Sequence, residues 1–131
     1  MRVLLDTNII ISALLFRSST PSTVVEVVLQ EHRLVRTEWV IAELREVVGR
    51  KRPDLVPALE RFLSSIDYEL VSPGDTAVAI SDPDDQPILD AATASAVDVI
   101  VTGDKHFLTL NIETPLILTA RAFVEAYVRS T

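Results

Sequence analysis

The sequence predicts an α/β fold with a mostly parallel sheet covered on both faces. Two observations carry this. Five short apolar runs of β type are spread along the 131 residues, and most gaps between them hold apolar residues at helical spacing. Strands separated by helices cross over in the right-handed sense, which lays the strands parallel and puts helices against the sheet.

Residues 2–6 (RVLLD) read as a buried strand, followed by a helical stretch through Ile9, Ile10, Ala13 and Leu14. Thr20-Pro21 opens the next helix, with Thr capping free amides and Pro suited to the first helical position. Its apolar stripe is Val24, Val25, Val28 and Leu29. Residues 34–36 form a short second strand, and Thr37 caps a helix with Val40, Ile41, Leu44, Val47 and Val48 on one face. Residues 54–66 carry Leu55, Leu59, Phe62 and Leu63 at similar spacing. A third strand at 68–71 ends at Ser72-Pro73-Gly74. The most polar stretch, 81–87, leads into a helix from about residue 88 to 96. Residues 98–102 (DVIVT) and 115–118 supply the fourth and fifth strands, and Thr119 caps a last helix bearing Ala122, Phe123, Ala126 and Tyr127. With no repeat, low-complexity tract or linker, residues 1–131 read as a single domain.

Composition narrows the function. Hydrophobic residues make up 48%, so the chain can build a core. No apolar run approaches the roughly 20 residues that span a bilayer, and an acid at position 6 leaves no room for a secretory signal. A cytoplasmic, membrane-free protein is expected. The absence of cysteine excludes a zinc ribbon and a thiol nucleophile. A net charge of −7 argues against a protein that coats nucleic acid by charge alone, because neutralising phosphates drives such binding. Cutting nucleic acid remains open to an acidic protein if bound cations reverse the local field.

In doubly wound sheets, ligands bind beyond the carboxyl ends of the strands, where strand order reverses. Asp6 ends the first strand and Asp104 lies just past the fourth, so both belong at one edge of the sheet. If those strands are neighbours, the two carboxylates meet. Glu43, on the helix after the second strand, can reach the same edge, and Asp82, Asp84 and Asp85 precede the helix into the fourth strand. Two carboxylates about 4 Å apart repel by roughly 4 kcal/mol at an effective dielectric near 20. Hard oxygen donors suit Mg²⁺ or Mn²⁺. Taken singly, each acid also has a structural reading: Asp6 and Asp85 as helix caps, Glu43 in a surface pair, Asp104 as a turn residue. Arg45, Arg50, Lys51, Arg52 and Arg61 form the one concentrated basic region, suited either to a phosphate backbone or to an exposed helix end. His32, in a polar turn, carries no chemistry, and His106 reads as a metal ligand, a phosphate contact or, the preferred reading, a surface residue.

Four segments carry a resemblance: VLLDTNIIISALL at 3–15, TEWVIAEL at 37–44, DPDDQPILDAA at 82–92 and VIVTGDKHFL at 99–108. Together they resemble the PIN domain, a family of metal-dependent nucleases, and in particular its VapC-like toxins. The resemblance implies a three-layer α/β/α sandwich with a parallel five-stranded sheet. It implies catalytic and metal-binding roles for Asp6, Glu43, Asp85 (Asp84 as fallback) and Asp104, with Asn8 and Thr102 supporting them. It further implies an endoribonuclease using Mg²⁺ or Mn²⁺, a cognate antitoxin and a homodimer. Val24–Leu29 and Val40–Val48 are candidate dimer faces unless they are core. Many relatives have Asp where this chain has His106. Two rivals are a PIN fold kept for partner binding and a housekeeping RNA-processing nuclease. A phosphatase on a similar sheet is disfavoured, since three glycines leave no Gly-rich phosphate loop.

Overall fold

The computed structural model describes residues 1–71, 86–110 and 112–128. The strands are β1 (Arg2–Leu5), β2 (Arg33–Thr37), β3 (Glu69–Val71), β4 (Val99–Val101) and β5 (Leu116–Leu118). They form one parallel sheet in the order β3-β2-β1-β4-β5. The chain works outward from β1 to β3, then crosses back to lay β4 on the other side of β1. Strand order therefore reverses between β1 and β4, which is the switch point where ligands are expected.

All three residues of Val3, Leu4 and Leu5 are buried, and so are Val99, Ile100 and Val101. Successive side chains point to opposite faces of a sheet, so both faces are covered. The covering helices are α1 (Thr7–Leu15), α2 (Thr20–Glu31), α3 (Glu38–Lys51), α4 (Val56–Ser65), α5 (Gln86–Ala94), α6 (Lys105–Leu108) and α7 (Ala120–Tyr127). The α/β sandwich expected from the sequence is present.

Caps and stripes follow local chemistry. The Thr37 hydroxyl accepts from Val40 N and that of Thr119 from Ala122 N, both at 3.0 Å. Val24, Val25 and Val28 of α2 are core, as are Val40, Leu44 and Val48 of α3. These stripes are consumed within the protein: α2 packs on α1 and α7, and α3 on α1 and α4. The buried residues of both stripes are therefore core, while Leu29 at the end of the α2 stripe is exposed.

Three local expectations are corrected. The cap of α2 is Ser19, whose hydroxyl accepts from Ser22 N, and Thr20 is already helical. The stretch 54–66 is not one helix: a 3-10 turn (Pro53–Leu55) comes first, and α4 starts afresh with Pro57 in its first turn. Proline has no N–H to donate to a preceding turn, so it is tolerated only where a helix begins. Finally, α6 follows Asp104 directly, where the sequence suggested only a turn.

Two other polar residues, His32 and Arg36, pack against aromatic rings. His32 ends α2, with its ring edge-on to Phe123 (6.0 Å) and Tyr127 (6.4 Å) of α7, and burial lowers its pKa. It is half-buried and packs on α7. Arg36 in β2 is 1% exposed, and its guanidinium lies 5.6 Å from the centre of the Phe62 ring. Its three nitrogens have no hydrogen-bond partner among the described residues, and burial pushes its pKa down to about 10. Among the described residues, no helix is long and apolar enough to cross a membrane.

Candidate active site

Asp6 leaves β1 at the switch point. Its backbone N–H donates to Val101 O at 3.0 Å, which ties the end of β1 to the end of β4. It is 5% exposed and also caps α1, its Oδ1 accepting from Thr7 N at 2.7 Å. Its Oδ2 accepts from the Thr102 hydroxyl at 2.7 Å. The capping and functional readings of Asp6 are thus one geometry, because the carboxylate that caps α1 faces the acid from β4.

Thr102 couples the two strand ends. Fully buried, it donates to Asp6 and accepts from Asp104 N at 2.9 Å. Asp104 caps α6, its Oδ1 accepting from His106 N at 2.8 Å. From α3, Glu43 accepts a short hydrogen bond (2.5 Å) from the Thr7 hydroxyl. Two threonines, one beside each strand end, therefore hold Glu43, Asp6 and Asp104 in one neighbourhood.

Burial raises the Asp6 pKa most strongly. The bonds from Thr102 and Thr7 oppose that rise, and the charges of Glu43 and Asp104 add to it. No Lys or Arg among the described residues forms an ion pair with any of these three acids. Gathered carboxylates without a cation are the donor chemistry that a hard divalent ion satisfies. The three do not close a metal site by themselves: among the described residues, no group of three acids or histidines is placed to hold one ion. Each is turned onto a hydroxyl or an amide instead. Asp85, proposed as the further ligand, and its fallback Asp84 lie outside the described residues.

The other expected residues fall as follows. Asn8 is exposed on the first turn of α1, and the support from that segment comes from Thr7, its buried neighbour. Thr7 has no role legible in the sequence pattern. The only signal is its position, since a hydroxyl beside a capping Asp sits where it can reach a second acid. The basic stretch is largely neutralised: Arg45 is bonded to Glu60 (2.9 Å), Arg50 to Glu46 (2.9 Å) and Arg52 to Asp54 (2.8 Å). Lys51 forms no ion pair among the described residues. His106 is half-buried beside Asp104. A large open groove of about 720 Å³ runs along α4 past Pro57, Glu60 and Arg61, and none of the candidate acids lines it.

Comparison with known proteins bears on the fold and the family. The crystal structure of VapBC2 from Rickettsia felis bound to a promoter DNA fragment contains a chain similar to this one, with a TM-score of 0.65 and 22% identity. The match covers 90% of this chain and 97% of that one, and shows a shared fold. No curated protein sequence matches the chain. The family model described as the PIN domain matches residues 2–106, which span β1 to α6 and so take in Asp6, Glu43 and Asp104. The chain belongs to the PIN domain family.

Proposed function

We propose that residues 1–131 act as one metal-dependent endoribonuclease domain, the toxin of a toxin–antitoxin pair. The observation that carries this reading is Asp6, a buried carboxylate held between Thr7 and Thr102 beside two further acids and paired with no described cation. Asp6, Glu43 and Asp104, with Asp85, would hold Mg²⁺ or Mn²⁺. When bound, such an ion lowers the pKa of water and offsets charge on a phosphate. The chain's own contribution is orientation. Thr102 fixes Asp6 relative to Asp104, and Thr7 fixes Glu43, so the three acids are kept in one neighbourhood for an ion to draw together. Arg45, Arg50, Lys51 and Arg52 are proposed for the RNA backbone; surface ion pairs are worth about 0–1 kcal/mol, so phosphates can displace the acids that hold the arginines.

The toxin assignment is supported by the fold shared with a chain of the Rickettsia felis VapBC2 complex. An antitoxin presenting Arg or Lys would satisfy the acids as a metal does, a guanidinium pairing with two carboxylate oxygens at once. A homodimer and a cytoplasmic setting belong to the same proposal. The test is cleavage of single-stranded RNA by purified protein with Mg²⁺, with Mn²⁺ and with excess EDTA. Cleavage only with metal is expected. Undiminished cleavage in EDTA would overturn the mechanism.

A further inference from the structure

Trp39 is the only tryptophan of the chain and is 43% exposed. The core stripe of α3 is Val40, Leu44 and Val48, so packing does not account for so large a side chain beside it. Trp39 sits one turn before Glu43 on the same helix face. With Ala42, Glu43 and Glu46 it lines a surface groove of about 340 Å³. One wall of that groove is therefore the residue that accepts the Thr7 hydroxyl at the acidic centre. The other acid, Glu46, is already paired with Arg50 at 2.9 Å.

We propose that Trp39 is a stacking platform for an unpaired base of the RNA substrate, next to the phosphate brought to Glu43. This rests on the ribonuclease reading and deepens it by naming how the strand is gripped. With a net charge of −7 and Arg45, Arg50 and Arg52 all engaged by acids, charge alone binds a polyanion poorly. Stacking on an aromatic ring is indifferent to the protein's net charge. It is worth about 1–3 kcal/mol per base and accepts any base, since each has a π face. A single-stranded substrate is favoured over a duplex, whose bases are already stacked on one another.

The sole tryptophan is its own reporter. The test titrates a fluorescein-labelled single-stranded RNA decamer into full-length Asp6→Asn protein, in which cleavage is silenced. Tryptophan quenching and label anisotropy should saturate together. Trp39→Ala in the same background should weaken binding about 5- to 100-fold, and Trp39→Phe only a few-fold. In the active protein, Trp39→Ala should raise KM by a similar factor and leave kcat within about threefold. RNA binding without quenching, together with unchanged KM in Trp39→Ala, overturns the platform and leaves the ribonuclease intact. Quenching by a second copy of the chain or a protein partner, and none by RNA, makes Trp39 a protein interface and also overturns it. No RNA cleavage by the native protein with any divalent metal overturns the ribonuclease reading and this one with it. Trp39 is exposed, so melting temperatures should agree across variants; should Trp39→Ala fail to fold, quenching and Trp39→Phe still decide.

Discussion

Asp6 and Arg36 lie toward the carboxyl ends of adjacent strands, and both are charged groups almost wholly removed from water. Burial acts on each in the same sense, disfavouring the ionised form: it raises the Asp6 pKa and brings Arg36 down to about 10. Their surroundings differ. Asp6 receives a bond from its own helix and one from Thr102, 96 residues away, and stands among like charges. Arg36 has an aromatic face and no hydrogen-bond partner among the described residues. Burial of a charge is therefore no signature of function. Convergence is the better mark, with several distant segments supplying donors that orient one acid toward others.

Asp6→Asn should produce the largest effect. Loss of a partner that merely orients a metal ligand costs about 10–100-fold, so loss of a ligand should exceed about 100-fold in cleavage rate. The metal-free variant should melt at the same temperature as the original or higher, because the amide keeps the shape and removes like-charge repulsion. Mn²⁺ should raise the melting temperature of the original protein and raise that of the variant less. Retained cleavage with an unchanged metal shift would falsify the site.

Thr102→Val tests the orienting role itself. It preserves shape, strips one donor from Asp6 and leaves Asp104 N–H without an acceptor. Cleavage should fall about 10–100-fold and stability by about 1–3 kcal/mol. A valine variant with full activity would show that Asp6 needs no such support.

Arg36→Met attacks the other side of the contrast. A buried cation with no hydrogen-bond partner among the described residues is costly, and an apolar chain of similar length should raise stability by about 1–3 kcal/mol, read by urea denaturation, with cleavage unchanged. A loss of stability would mean that the guanidinium meets a counter-charge in solution and that the two regions are more alike than they look.

The smallest effect is on pH dependence. With its pKa raised in the folded state, Asp6 holds its proton more tightly folded than unfolded. Its contribution to metal-free stability is then fully present below the unfolded value of 3.8 and is lost as pH rises through the folded pKa. Subtracting the stability of Asp6→Asn from that of the original, point by point above pH 3.8 without metal, should give a curve that falls with pH. A flat or rising difference would place Asp6 in a more solvated setting than its 5% exposure indicates.

Much of this molecule is decided locally and so can be read along the chain. Strand and helix periods, the Thr37 and Thr119 caps and the stripes of α2 and α3 follow from side chains within a turn or two of one another. Asp6 and Asp104 were identifiable together because parallel topology sends strand ends to one edge, and Glu43 because the helix after the second strand can reach that edge. Other features needed the fold. That β4 lies beside β1 is a pairing between residues almost a hundred positions apart, and only it brings the Thr102 hydroxyl to Asp6. Thr7 gains its role from a helix beginning more than thirty residues later, through its bond to Glu43. The cations of the basic stretch look free as a string of letters, yet Arg45 finds Glu60 across the α3–α4 contact. Arg36 reads as the polar end of a short strand, and the ring of Phe62 on α4 closes over it. Hydrogen bonds and desolvation depend on what stands within a few ångströms, and for these residues those neighbours come from distant parts of the chain.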